Sequence, residues 1–151
     1  MKRILLVSHC VLNSYCETPP AGDYYREGLL RAVLEKHLSI VQLPCPELCF
    51  QGLFRESINP GTEKAAEYEE YCEALLEPIV ENLIQYKENG IEAAGIIGID
   101  TSPSCSVVDV DAIMMKILFK RLKAEGIDIH FKVDMPIADG NENFVEVVRQ
   151  V

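Results

Sequence analysis

Residues 94–99 read Ala-Gly-Ile-Ile-Gly-Ile and run into Asp100, while residues 4–7 read Ile-Leu-Leu-Val and run into Ser8-His9-Cys10. Short, almost wholly apolar runs of this kind suit central strands that are covered on both faces. Residues 38–43 and 127–133 are also rich in Ile, Val and Leu. The last segment alternates Ile127, Ile129, Phe131 and Val133 with Asp128, His130 and Lys132, which predicts a half-exposed edge strand. Helical periods lie between the strands. Residues 24–36 gather Leu29, Leu30, Val33 and Leu34 on one face. Residues 62–88 carry a stripe that includes Tyr68, Cys72, Leu76, Val80 and Leu83. Pro78 predicts a kink or break near Glu77, because it removes a backbone donor. A third helix is expected over 109–124, with Gly126 as its stop, and a short last one over 144–151.

The alternation of strand and helix predicts an α/β fold. Residues 1–151 are read as one domain, a three-layer sandwich around an open, mainly parallel, four-stranded sheet. Right-handed crossovers in so short a chain favour the order 2-1-3-4, as in flavodoxin-like folds. The irregular connections 13–23 and 51–61 are expected to overhang a site.

Composition narrows the function. The 151 residues carry a formal net charge of −10, with no basic cluster to displace counterions from a nucleic acid. Eight glutamates face only Lys64 and Lys87 on the 62–88 segment, a solvated helix face. No apolar run approaches the roughly 18–20 residues that a bilayer requires. The run after Met1-Lys2-Arg3 is too short for a secretory signal, so a cytoplasmic protein is expected. In a reducing compartment, six cysteines are more readily ligands or nucleophiles than disulfides.

Three of the six follow the first three strands: Cys10, Cys45 and Cys105. In the order 2-1-3 those strands are neighbours, and their carboxyl ends border the crevice where open α/β sheets bind ligands. Crowded thiolates repel unless a cation neutralises them, so a metal is expected there. Zinc with three protein ligands and an open position is one occupant, and an iron–sulfur cluster is another. Ser106-Val107-Val108-Asp109 reads as a capping box, which would set Cys105 beside a helix N-terminus that favours its thiolate. Cys72 belongs to the helical stripe and reads as core. Cys16 and Cys49 are candidates for a fourth ligand or a resolving thiol, with plain packing as the default.

Ser8-His9-Cys10, Cys45-Pro46-Glu47 and Ser102-Pro103-Ser104-Cys105, in that order and spacing, resemble the 2-thiouracil desulfurase family. The resemblance covers nearly the whole chain. It implies a [4Fe-4S] cluster held by Cys10, Cys45 and Cys105, with a fourth iron open to the sulfur of a thiocarbonyl substrate. The implied reaction is non-redox removal of sulfur, released as hydrosulfide. The first loop lacks the family's glycine and Arg-Tyr-Asp-Gly run, which marks a divergent branch.

Such a reaction needs a water activated for attack on carbon and a proton for the ring nitrogen. Glu47, two residues after a proposed ligand, is the expected catalytic carboxyl. Ser102 is expected to orient substrate or water, with Ser104 next in line. Asp100 reads as a loop cap, with orientation of a ligand loop as its functional reading; His9 could pair with the Cys10 thiolate, and Tyr24 and Tyr25 read first as packing. A tyrosine phosphatase loop is set aside, because the position that needs the phosphate-clamping arginine is Cys16. The expected activity is an iron–sulfur desulfurase acting on a small thiolated compound such as a thiolated nucleobase. The alternative is a non-catalytic metal or cluster protein whose site a fourth cysteine closes. Expected partners are the small substrate and at most a further copy of the chain, with no nucleic acid and no membrane.

Overall fold

The computed structural model describes residues 1–18, 20, 23–137 and 142–151, without the side chain of Tyr24. Four parallel strands form one sheet: β1 (Arg3–Val7), β2 (Ser39–Gln42), β3 (Glu92–Ile99) and β4 (Ile129–Met135), in the order β2-β1-β3-β4. This is the α/β architecture and strand order expected from the sequence. Leu5, Leu6 and Val7 of β1 and Ile96 and Ile97 of β3 are wholly buried. Central strands sealed on both faces leave no side chain facing water, which is why these segments show no alternation. β4 does alternate between partly buried and exposed positions, as an edge strand should.

Two helix pairs flank the sheet. α2 (Asp23–Glu35) packs with α6 (Asn143–Arg149), and α4 (Glu63–Glu88) packs with α5 (Ile113–Ala124). Tyr25 meets Phe144 edge to face, with ring centroids 5.3 Å apart, so its role is packing. Of the kink or break expected near Glu77, the break does not occur, and α4 runs unbroken through Pro78. Pro78 and Ala74, whose carbonyl loses its donor, are both exposed, so water can take the place of the missing bond. The adjoining Leu76, Val80 and Leu83 hold the helix to the core.

Two short helices sit where loops were expected. α1 (His9–Leu12) follows β1 directly, and α3 (Pro46–Gln51) follows β2. No helix of the structure is long and apolar enough to cross a membrane.

Glycines let the chain come close at two places on β3. A methyl group on Gly95 would run into the ring of Phe131, which lies across it from β4. A methyl group on Gly98 would run into the carbonyl of Cys105, where the following loop folds back onto the strand.

Candidate metal centre

Cys10 stands in α1, whose N-cap is Ser8. The chain then turns sharply. Asn13 Oδ1 accepts from the Tyr15 amide at 3.0 Å and starts a single 3-10 turn over Ser14–Cys16. That turn brings Cys16 back over Cys10, with the two sulfurs 3.0 Å apart and Cys16 Sγ also 3.1 Å from the Asn13 carbonyl. Cys45 is the N-cap of α3, and Pro46 opens that helix with a φ already suited to it. The Sγ atoms of Cys10, Cys16 and Cys45 all lie within 4.8 Å of one another, and all three residues are buried. Three buried cysteines are thus close enough to bind one metal ion.

The donor set fits a thiophilic metal. With metal–sulfur bonds of about 2.3 Å, a tetrahedral ion holds its sulfurs about 3.8 Å apart, a spacing compatible with a trio whose sulfurs all lie within 4.8 Å of one another. The surroundings shift the three thiols in different directions, and a metal would bind them deprotonated. Hydrogen bonds from Cys10 and Cys16 hold the Cys45 thiol well below its ordinary range, helped by a Leu48 backbone contact and by Arg55. Cys10 moves strongly upward, through its contacts with Cys16 and Cys45 and through burial. For Cys16 the bond to Cys10 pulls downward, but Cys45, burial and Glu17 outweigh it.

Cys105 is not a member of this trio. The capping-box reading fails with it. Ser106 Oγ does accept from the Asp109 amide at 3.0 Å, but this closes a turn, and α5 starts only at Ile113. The first amides of α5 bond instead to the carbonyls of Pro103 and Ser104. Cys105 is left in an apolar setting that pushes its thiol well upward, chiefly by burial and then by the fields of Cys45 and Glu47. Cys49 is exposed, and Cys72 is core, as its helical spacing predicts.

Through Cys10 the trio meets a cleft of about 350 Å³ at the carboxyl edge of the sheet, lined also by Glu17, Glu47, Arg55 and Ser102, among others. Glu47 is buried, and its Oε1 accepts from Ser104 Oγ at 3.0 Å. Ser104 Oγ is in turn 2.7 Å from the Tyr68 hydroxyl, so a buried chain of three polar groups runs inward from the cleft. Burial raises the Glu47 pKa, with Cys45 and Glu17 adding to the rise while Ser104 and Arg55 oppose it. Ser102 faces the cleft, yet its hydroxyl accepts from the Cys105 amide at 3.0 Å and so also builds the turn. Ser104, ranked second from sequence, is the serine bonded to Glu47. Asp100 lines the cleft too. His9 lies 3.3 Å from the Asn13 side chain, on the exposed surface.

Comparison with known proteins places the chain. Over 132 residues it is 36% identical to the uncharacterized protein MJ0003 of Methanocaldococcus jannaschii, covering 85% of this chain and 83% of that one. The chain belongs to the MJ0003 family. No protein-family model and no solved structure matches it.

Sequence reasoning missed two charged groups in this MJ0003-family site. Cys10 Sγ donates to Glu17 Oε1 at 3.4 Å. Arg55 Nη2 lies 3.6 Å from Glu17 Oε1 and 3.7 Å from Cys45 Sγ, while its Nε lies 3.7 Å from Glu47 Oε2. Both residues fall in the irregular connections expected to overhang a site, but no spacing rule distinguishes them there from ordinary surface charges. In this MJ0003-family chain, the sequence signal for Cys16 is a second thiol in the same short loop as Cys10.

Proposed function

We propose that this protein is an enzyme that removes sulfur from a small thiolated compound at a three-cysteine iron–sulfur centre, replacing C=S by C=O with one water and releasing hydrosulfide. The observation that carries this reading is the cleft in which Cys10, a buried thiol with buried cysteine neighbours, meets the buried carboxyl of Glu47. No fourth cysteine joins the group among the described residues, which supports an open coordination position over the closed site of a carrier. The resemblance of the Ser-His-Cys, Cys-Pro-Glu and Ser-Pro-Ser-Cys stretches to the 2-thiouracil desulfurases supports the cluster. When bound, the cluster supplies a thiophilic, Lewis-acidic iron for the substrate's sulfur.

The chain's own residues supply the rest. Cys10 is the member of the trio that lines the cleft, so substrate sulfur approaches on its side. Glu47 offers Oε2 toward the cleft-lining Arg55 while Ser104 fixes Oε1, which suits it to take a proton from water and return it to the leaving product. Ser102 stands at the same wall, where its hydroxyl can hold substrate or water. Ile99, Met135 and Ile137 form an apolar wall for a flat ring.

A second reading is a mononuclear zinc hydrolase on the same thiolates, and the close sulfur spacing favours it. The cluster reading uses Cys10 and Cys45, with Cys105 as the third ligand by resemblance or Cys16 by proximity. Anaerobic purification with iron, acid-labile sulfide and zinc measured per chain separates these readings. Iron with stoichiometric sulfide is expected for wild type, and its loss is expected in Cys10→Ser. If Cys16→Ser empties the site and Cys105→Ser does not, the third ligand is Cys16. Zinc without sulfide would overturn the cluster, and a loaded chain inert toward thiolated bases would overturn the activity.

A further inference from the structure

The geometry points to Arg55 as a positioning residue of the thiolate centre: its guanidinium is the counter-charge that keeps Cys45, Glu47 and Glu17 gathered around the metal. This rests on the metal-centre reading above. Arg55 has a side chain only 7% exposed, and a cation taken so far out of water requires partners. Its Nη1 donates to the carbonyls of Gly52 and Leu53, at 3.4 and 3.1 Å. Gly52 is the C-cap of α3 with φ of +89°, a left-handed turn that sends the chain back toward the start of the same helix. Cys45 is the N-cap of that helix, so α3 is clasped end to end: its N-cap carries a sulfur of the trio, and the chain beyond its last turn returns a cation to that sulfur.

The three nitrogens are all committed inward. Nη1 serves the two carbonyls, Nη2 serves Cys45 and Glu17, and Nε faces Glu47. Arg55 is the one cation among the described residues that line the cleft, and each of its three nitrogens already faces a partner within the site. Its work is therefore within the site. Three thiolates around a divalent ion leave one net negative charge, and Glu17 and Glu47 add more when ionised. In an environment of reduced dielectric, a cation within 4 Å offsets a large part of that repulsion. The contacts with the two carboxylates are at ion-pair rather than hydrogen-bond distances, so charge matters more here than the planar fork. Lysine should then replace arginine in part, and glutamine should not.

Cobalt(II) is the probe, because thiolate ligation gives it a charge-transfer band in the near ultraviolet. The full chain is prepared metal-free without oxygen and titrated with cobalt(II) as wild type, Arg55→Gln and Arg55→Lys. Thermal unfolding of each metal-free protein is recorded alongside. Wild type is expected to take up cobalt with a thiolate band. Arg55→Gln should bind about 10- to 100-fold more weakly, the usual cost of losing a partner to a ligand. Arg55→Lys should recover most of the loss. An Arg55→Gln protein with wild-type affinity and band overturns the inference while leaving the metal centre intact. Recovery absent in a folded Arg55→Lys overturns the counter-charge role. If Arg55→Gln does not fold, Arg55→Lys decides alone: affinity within about tenfold of wild type supports the role, and a greater loss refutes it. No thiolate band in the wild type overturns the metal-centre reading and this inference with it.

Discussion

Replacing Gly98 by alanine tests how the loop that carries Ser104 and Cys105 is held against the sheet. The added methyl group would collide with the Cys105 carbonyl, and it would stand 2.6 Å from Asp134 Oδ1 and 2.8 Å from Val107 Cγ1. A backbone carbonyl cannot swing aside as a side chain can, so the loop must lift. Lifting it strains the bond from the Ile99 amide to the Cys105 carbonyl, 3.2 Å, and the bond from the Val107 amide to Asp134, 2.8 Å. Overpacking costs about 1–3 kcal/mol, and each weakened bond costs about 0.5–1.5 kcal/mol. A total near 3 kcal/mol is expected. At about 2–4 °C per kcal/mol for a domain of this size, the melting temperature should fall by about 6–12 °C. Far-ultraviolet circular dichroism during heating, with a urea titration beside it, measures this directly. Gly95→Ala is the control. The three atoms nearest its methyl group all belong to the ring of Phe131, half-buried on an edge strand, so a side chain rather than backbone has to give way and the loss should be smaller. A Gly98→Ala protein that melts within about 2 °C of wild type, or less affected than Gly95→Ala, would refute the reasoning.

Other consequences can be checked alongside. Tyr68→Phe deletes a buried hydroxyl 2.7 Å from Ser104 Oγ and should cost about 1–2 kcal/mol in urea unfolding; an unchanged midpoint would mean that this bond adds nothing. Burial raises the Glu47 pKa, so the fold favours its neutral form. The stability this contributes is present below the ordinary carboxylate range and is lost as pH rises through the raised value. Metal-free Glu47→Gln should therefore gain on wild type between about pH 4 and pH 7, as read by urea midpoints across that range. A gain that shrinks with rising pH would show the charge of Arg55 overriding burial.

The sheet was legible because burial on both faces leaves a plain mark: an apolar run without alternation. Ile4–Val7 and the segment ending at Ile99 carry it, and the one alternating strand, β4, is an edge. α4 was legible from its stripe, whereas the effect of Pro78 depended on its facing water, which periodicity does not specify. The candidate site was only half legible. Strand ends pointed to Cys10, Cys45 and Cys105, since a sheet's carboxyl edge is where loops converge. Which thiols then meet is decided by turns of a few residues. The Asn13 cap folds Cys16 onto Cys10, while the Ser102 and Ser106 hydroxyls curl Cys105 into a turn of its own. Arg55 left no mark at all, because its place depends on Gly52 reversing the chain after a six-residue helix that the sequence reading did not contain.

The pairing of Cys10 with Cys16 inside one tight turn has a consequence for assembly. Only six residues separate them, whereas thirty-five separate Cys10 from Cys45. Closing the longer loop in a disordered chain costs about 1.5 kcal/mol more entropy. Nascent polypeptide therefore already holds these two sulfurs close before β2 has docked, so an ion that the trio bound would also find a two-pronged chelate on the unfolded chain. Saturating metal should raise the melting temperature by less than the dissociation constant alone would imply, because the unfolded chain competes for the same ion.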